Sequence, residues 1–114
     1  MISINPRRNE IYMAEMLFSD LQTKEDRPII ILSKNNYNEN SDDIVVCGVT
    51  TNIDHPWCLM INQNDLQDGY LTQESGARAD MLARLLKTKL KFRIGKITDE
   101  YHTHLFTKIG ELIK

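Results

Sequence analysis

The sequence predicts a small, mainly β domain that is closed by one C-terminal helix. Two apolar runs rich in β-branched residues, Ile29–Leu32 and Ile44–Val49, are typical of buried strands. After Thr98, a suitable N-cap, two acidic residues suit the positive end of a helix dipole, and apolar residues then recur with helical spacing up to Ile113. Several short strands followed by one amphipathic helix favour a β-barrel-like architecture.

The other segments carry weaker signals. Pro28 is placed at the start of the second strand, where its missing N–H costs least. The polar stretch 17–26 predicts a loop, and the asparagine-rich stretch 34–43 predicts turns. Residues 81–90 fit either a helix or a strand followed by a short helix. Further strands are predicted at residues 10–16, 57–61 and 92–97.

Length and composition predict one folded domain over residues 1–114. Hydrophobic residues make up 41% and charged residues 26% of the chain, which is ordinary for a globular protein. No apolar run reaches the roughly 20 residues of a membrane helix, and the N-terminus lacks a secretory signal. Cys47 and Cys58 lie in apolar segments and are expected to be reduced packing residues. A cytoplasmic protein is therefore expected.

Charge is distributed unevenly, although the net charge is only −2. Between Glu10 and Glu74 there are twelve acidic and three basic residues, whereas between Ser75 and Lys96 there are seven basic residues and Asp80 alone is acidic. Such a basic segment is typical of a surface that binds polyanions, because cations near phosphate supply most of the sequence-independent affinity. A solvated basic face without a partner explains the pattern equally well.

Four motifs follow one another along the chain. They are Arg8-Asn9-Glu10-Ile11-Tyr12, Arg27-Pro28 with the aliphatic run to Ser33, Ile44 to Thr51, and Arg78-Ala79-Asp80. In this order and spacing they resemble the MazF/PemK (Kid) family of toxin endoribonucleases, and the similarity covers residues 8–113. Asn9 stands where the family usually has glycine, and asparagine tolerates a positive φ better than most residues.

The resemblance implies an SH3-like β-barrel with a C-terminal helix, assembled as a two-fold homodimer. It implies sequence-specific cleavage of single-stranded RNA without a metal or another cofactor, and a cognate antitoxin as partner. Metal-free cleavage uses the RNA 2′-hydroxyl as nucleophile. The protein must then move protons and neutralise charge on the phosphorane.

The resemblance assigns catalytic roles to Arg27, Thr50, Arg78 and Asp80. An arginine suits the phosphorane because it is always charged and can hold two oxygens at once. Thr50 matches a residue that contacts the scissile phosphate, with Thr51 as the fallback. Arg78 and Asp80 would share one face of a strand. Each residue also has a plainer interpretation. Arg27 could form a surface ion pair, Thr50 could be a threonine that ends a strand and begins a turn, and Arg78 could form a local ion pair with Asp80.

Residues on the predicted loops and on the basic segment are the candidate RNA contacts. They are Phe18, Lys24, Thr51, Arg84 and Lys87. Aromatic rings commonly stack on unpaired bases, and the candidates for this role are Tyr12, Phe18, Tyr37 and Trp57. The loop residue Phe18 is favoured, whereas Tyr12 is expected in the core.

Three histidines, His55, His102 and His104, are not expected to act in catalysis. His102 and His104 fall on the C-terminal helix, where a solvated position is the ordinary one, and their spacing points them to different sides. The PemK branch has a histidine in its first loop, and residues 17–26 have none. Glu25 or Asp80 is therefore the expected general base.

Two other functions remain open at this point. A non-catalytic binding module of the same fold is suggested by Glu25 and Asp26, which precede Arg27 where the family usually has glycines. A gyrase poison like the CcdB toxins, which share the fold, is less favoured. Those toxins use aromatic residues at the end of the terminal helix, and residues 110–114 contain none.

Overall fold

The computed structural model describes residues 4–17 and 24–114, which form seven strands and two helices. The strands are β1 (Glu10–Leu17), β2 (Lys24–Ile31), β3 (Asp43–Thr50), β4 (Cys58–Ile61), β5 (Leu66–Gly69), β6 (Ser75–Leu86) and β7 (Leu90–Ile97). The helices are α1 (Asn35–Asn40) and α2 (Asp99–Ile113). Short 3-10 turns lie at Gln63–Asp65 and Lys87–Lys89.

All strands join one antiparallel sheet in the order β4-β6-β3-β2-β1-β7-β5. Strand β2 pairs with β3 over three residue pairs, from Ile29–Gly48 to Ile31–Val46. Within the sheet, this short ladder joins the β5-β7-β1-β2 half to the β3-β6-β4 half. The two halves therefore depend on a small number of central hydrogen bonds.

Two apolar clusters lie on opposite faces of the sheet. Ile30 belongs to the cluster under α2, whereas Ile29 and Ile31 belong to the other, and all three side chains are fully buried. Side chains alternate along a strand, so one isoleucine run contributes to both clusters. Ile61 of β4 and Leu66 of β5 pack on the same cluster although their strands are the two sheet edges. The sheet is therefore curled like a barrel.

The C-terminal helix begins as the sequence predicts. The Thr98 hydroxyl accepts a hydrogen bond from the Tyr101 N–H at 3.1 Å, and the Tyr101 hydroxyl donates to the Leu59 carbonyl at 2.5 Å. Leu105, one turn further on, is fully buried. Helix α2 is thereby fixed to the β4 edge. Among the described residues, no helix has the length and apolarity needed to cross a membrane.

Asn9 adopts a positive φ of 74°, as the comparison with glycine predicts. Its backbone N–H donates to the Ile31 carbonyl at 2.8 Å, and its side chain lies 2.6 Å from His102 Nδ1. Arg8 Nη2 lies 2.7 Å from the other ring nitrogen of His102. The expected solvated position of His102 is therefore wrong, because its ring is half-buried between these groups.

Several segments differ from the prediction. Lys24 to Asp26 extend β2, because they pair with β1. The predicted turns at 34–43 contain α1, in which the fully buried Asn38 donates to the Ser33 carbonyl at 3.0 Å. Residues 81–90 are a strand followed by a 3-10 turn, which is one of the two alternatives. Strand β5 was not predicted, since it is only four residues long.

The contacts of His102 predict a pH-dependent stability. Burial, and secondly the charge of Arg8, lower the pKa of His102 below its ordinary value of 6.5. A lowered pKa in the folded state favours unfolding once the unfolded histidine begins to bind protons. We therefore expect the unfolding free energy to fall as the pH decreases from about 7.5 to about 5.5.

Urea denaturation at several pH values in that range measures this effect. His102→Gln should reduce the slope of unfolding free energy against pH, whereas the exposed His104→Gln should leave it unchanged. Equal slopes in all three proteins would contradict the role given to His102.

Candidate active site

A small pocket opens where β2 and β3 separate. Pairing of these strands ends at Ile29–Gly48, and the next residue of β2 is Pro28, which has no N–H to continue the ladder. The gap leaves a cavity of about 130 Å³. Its lining is Glu25, Asp26, Arg27, Pro28, Val49, Thr50 and Thr51. The pocket thus contains Arg27, Thr50 and Thr51, three of the residues singled out by the sequence.

Arg27 is held on two sides. Its Nη1 lies 3.7 Å from Met81 Sδ, and its Nη2 lies 4.0 Å from Glu25 Oε2. The side chain is 19% exposed, so the guanidinium lies against the protein and still reaches solvent. Met81 can pack here because Gly48 has no side chain; a Cβ there would lie 2.1 Å from Met81 Sδ. Gly48 therefore helps to position Arg27.

Thr50 ends β3 beside Arg27. Its hydroxyl oxygen accepts a hydrogen bond from the Asn52 N–H at 3.1 Å, which leaves the hydroxyl proton for another acceptor. Thr51 is exposed at the start of the following loop. A cationic guanidinium next to a hydroxyl donor is an arrangement that can hold a phosphate group.

Arg78 and Asp80 form a bidentate ion pair on β6, with Nε–Oδ1 at 2.6 Å and Nη2–Oδ2 at 2.8 Å. This pairing raises the pKa of Arg78 and lowers the pKa of Asp80. Asp80 is thus a weak proton acceptor. The plainer interpretation as a local ion pair matches this geometry, and the pair's part in catalysis stays a prediction.

His55 is a candidate site residue that the sequence analysis set aside. The Trp57 N–H donates to His55 Nδ1 at 3.1 Å, so the neutral ring carries its proton on Nε2. The Trp57 carbonyl accepts from the Ala79 N–H at 2.9 Å, which places this loop against the Arg78–Asp80 pair. No sequence signal links His55 to β6, because the contact depends on how the loop after β3 folds back.

The other candidate RNA contacts lie away from this pocket or are not among the described residues. Lys24 is exposed and lies 3.9 Å from Glu15. Arg84 pairs across the sheet with Val45, five residues along β3 from Thr50, which corresponds to about 17 Å. Lys87 lies beyond Arg84 in the 3-10 turn. Phe18 falls outside the described residues.

The basic segment does not form an unpaired cationic surface. Five of its seven basic residues lie within 4 Å of a carboxylate. The pairs are Arg78–Asp80, Arg84–Asp43, Lys89–Glu15, Lys91–Asp26 and Arg93–Glu10, and Arg93 also contacts Asp68. Four of the six carboxylates come from β1, β2 and β3, so folding brings the acidic and basic segments together.

The fold and this pocket define a small β-barrel-like domain whose candidate site combines one guanidinium with two threonine hydroxyls. The chain belongs to the PemK-like, MazF-like toxins of type II toxin–antitoxin systems, a family of endoribonucleases, and the family match covers residues 7–113. Sequence comparison with curated proteins gives no significant match. Membership therefore rests on the family pattern, which spans nearly the whole chain.

Solved structures confirm the fold class. A MazE–MazF complex from Deinococcus radiodurans aligns with a TM-score of 0.76 at 16% identity, covering 96% of this chain and 97% of that one. The Mycobacterium tuberculosis toxin MazF-mt6 gives 0.72 at 19% identity, covering 90% and 93%. An endoribonuclease in complex with its cognate antitoxin, from a mycobacterial species, gives 0.70 at 21% identity, covering 94% and 91%.

Position 48 offers a test of how Arg27 is held. Gly48→Ala should destabilise the protein by about 1–3 kcal/mol, because the new Cβ overlaps Met81. Combining it with Met81→Ala should remove most of the overlap, so the double variant should be more stable than the sum of the single changes predicts. Urea denaturation of the four proteins measures this coupling, and strict additivity would argue against the proposed contact.

Proposed function

We propose that this chain is a sequence-specific, metal-independent endoribonuclease that cleaves single-stranded RNA. The observation that carries the proposal is the pocket at the end of the β2–β3 ladder, where Arg27, Thr50 and Thr51 lie together. It would act in the cytoplasm as the toxin of a toxin–antitoxin pair. Family membership supports the activity, and the geometry supports where the scissile phosphate binds.

The chemistry requires removal of the 2′-hydroxyl proton, delivery of a proton to the leaving 5′-oxygen, and neutralisation of the charge on the phosphorane. The deprotonated 2′-oxygen attacks the adjacent phosphorus, the bond to the 5′-oxygen breaks, that oxygen takes up a proton from solvent water, and a cyclic phosphate and a 5′-hydroxyl end remain. Arg27 would hold two phosphate oxygens and offset the charge of the phosphorane. The Thr50 hydroxyl would donate a hydrogen bond to one of these oxygens.

Glu25 is the better candidate for the general base. It stands two residues before Arg27 on β2, so both side chains lie on one face, and its side chain is 57% exposed. Asp80, the other candidate, is bound to Arg78 through both oxygens. We therefore assign proton removal from the 2′-hydroxyl to Glu25. The Arg78–Asp80 pair would act as a fixed electrostatic group beside the RNA.

A homodimer and an antitoxin complex complete the proposal. A second cavity of about 500 Å³ has an apolar lining beside α2, where Tyr37, Val45, Leu82 and Phe106 are 36–41% exposed. Apolar patches of this kind mark interaction sites. In a two-fold dimer the same patch meets its own copy, and we assign this face to a second copy of the chain.

The cleavage proposal predicts strand scission of a long single-stranded RNA in the presence of EDTA. Products should carry 5′-hydroxyl ends. Arg27→Ala should lower kcat/KM by about 100-fold or more, since removing one donor from a charged transition state has this effect. Arg7→Ala is the matched control, because Arg7 is an exposed arginine paired with Glu39.

Two results would reject the nuclease proposal. One is RNA binding without any cleavage by either the unaltered protein or Arg27→Ala, which would favour a binding module. The other is cleavage that disappears only when metal is removed.

Glu25→Gln tests the assignment of the base. It should lower the rate at saturating RNA by about 100-fold or more, because proton removal is lost, while RNA binding is retained or strengthened. Asp26→Asn is the comparison, since its carboxylate lies on the other face of β2 and contacts Lys91 at 2.7 Å. Single-turnover kinetics at several RNA concentrations separates RNA binding from the cleavage step. Equal loss in both variants would mean that Glu25 acts only through its charge.

The dimer proposal predicts that Leu82→Glu yields a monomer, because a charge would be buried at the apolar face. Light scattering coupled to size-exclusion chromatography gives the mass. Met60→Glu, a comparably exposed position on β4 outside this face, should remain dimeric. A dimeric Leu82→Glu variant would show that the chain associates through another surface.

A further inference from the structure

A third cavity lies across the sheet from the catalytic candidates. It measures about 340 Å³, and its lining includes Met13, Pro28, Tyr70, Leu71, Phe92 and Arg93. Two aromatic rings at its rim are strongly exposed, Tyr70 at 67% and Phe92 at 56%. Exposed aromatic side chains grouped around one cleft indicate a binding site rather than a packing defect. We name this feature the Tyr70–Phe92 cleft.

Strand register explains how the cleft reaches Pro28, the residue next to Arg27. Phe92 pairs with Met13 across β7 and β1, and Met13 pairs with Pro28 across β1 and β2. Directly opposed residues place their side chains on the same face, so these three form a row. The row spans two strand spacings, or about 10 Å. Pro28, at its end, lines both the cleft and the pocket.

The positive charge of Arg93 in the cleft is already paired with two carboxylates. Arg93 Nε contacts Glu10 at 2.5 Å, and its two terminal nitrogens contact Asp68 at 2.7 and 3.0 Å. A phosphate would have to displace these carboxylates. The cleft therefore suits a flat, uncharged group that stacks on aromatic rings, and a nucleobase has this chemistry.

Stacking on aromatic rings is important for RNA binding because most basic residues between Ser75 and Lys96 are already in ion pairs. Most of its cations lie beside carboxylates, so general attraction of the phosphate backbone is weak. Single-stranded RNA can gain affinity instead from bases stacked on aromatic side chains, an interaction that needs no free charge.

We propose that the Tyr70–Phe92 cleft is a stacking subsite for one unpaired nucleobase of the RNA substrate, adjacent to the nucleotide whose phosphate lies at Arg27. This inference rests on the proposed function, because it takes the pocket of Arg27 as the phosphate site. It places part of the RNA path along the row Pro28, Met13 and Phe92. The aromatic rings would contribute to affinity and to the choice of base, but not to the chemical step.

The test uses the full chain and a single-stranded RNA that it binds, chosen to contain the cleavage site where unmodified RNA is cut, and 2′-O-methylated throughout to prevent cleavage. The fluorescent base 2-aminopurine replaces one nucleotide at a time, since its emission is quenched when it stacks. We expect strong quenching at one position next to the scissile phosphate. Phe92→Ala and Tyr70→Ala should abolish it and weaken RNA binding by about 5-fold to 100-fold.

Matched variants separate stacking from a general structural effect. Phe92→Tyr and Tyr70→Phe keep the rings and should keep both quenching and affinity. Ile113→Ala removes a comparably exposed apolar side chain at the end of α2 and should change neither. With unmodified RNA, the alanine variants should raise KM and leave kcat unchanged. Unchanged RNA affinity and unchanged quenching in both alanine variants would overturn the proposal.

The outcomes distinguish this inference from the proposed function. If the unaltered protein cleaves RNA and the alanine variants cleave it with the same KM, the subsite is wrong and the nuclease stands. If the unaltered protein shows the position-specific quenching on the methylated RNA but cleaves no RNA, the nuclease is wrong and the cleft still binds a base. Loss of binding to an antitoxin peptide alone, with RNA affinity intact, would assign the cleft to a protein partner and overturn the proposal.

Discussion

The three-pair ladder between β2 and β3 is the constraint on which the rest of the structure depends. It joins the two halves of the sheet, and its isoleucines fill the cores on both faces. The ladder also ends abruptly, because Pro28 offers no N–H where the next bond would form. The same few residues thus hold the sheet together and open the pocket beside Arg27. Stability and the candidate site are coupled through Ile29 and Pro28.

Acidic and basic segments that are separate along the sequence form ion pairs in the folded protein. Along the chain, acidic residues precede basic ones, which suggests a cationic surface for RNA. In the folded protein β1 lies between β2 and β7, and this arrangement places Asp26 beside Lys91 and Glu10 beside Arg93. The exposed Asp26–Lys91 pair contributes little to stability, but both pairs reduce the field that a polyanion meets. Under the proposed function, recognition of RNA therefore depends more on shape, stacking and a few well-placed donors.

The fold was largely predictable because its signals are local. The buried run Ile29–Leu32, the Thr98 cap and the positive φ of Asn9 each follow from residue type and immediate neighbours. The juxtaposition of Arg27 with Thr50 was predictable only through the family resemblance. Lys24 to Asp26 were misassigned as loop, since polar residues lack strand periodicity and are held in β2 by pairing with β1.

Other parts of the candidate site could not be predicted, because they depend on register between distant strands. Tyr70 and Phe92 are 22 positions apart in the sequence, and neither belongs to a recognisable motif. His55 comes near Asp80 through a backbone bond between Trp57 and Ala79, which no local pattern encodes. His102 was assigned to solvent, and its partner Asn9 lies at the far end of the chain.

The same dependence on register explains how Met81 of β6 comes into contact with Arg27. Strand β6 shifts its pairing with β3 between Cys47 and Val49, opposite the stretch that contains Arg78, Asp80 and Met81. A shift of this type re-aims side chains without breaking the strand. It lets Met81 pack over Gly48 and contact Arg27. Arg78 and Asp80, which precede Met81 on β6, form an ion pair with each other. Gly48 is therefore part of the site, although it carries no chemistry of its own.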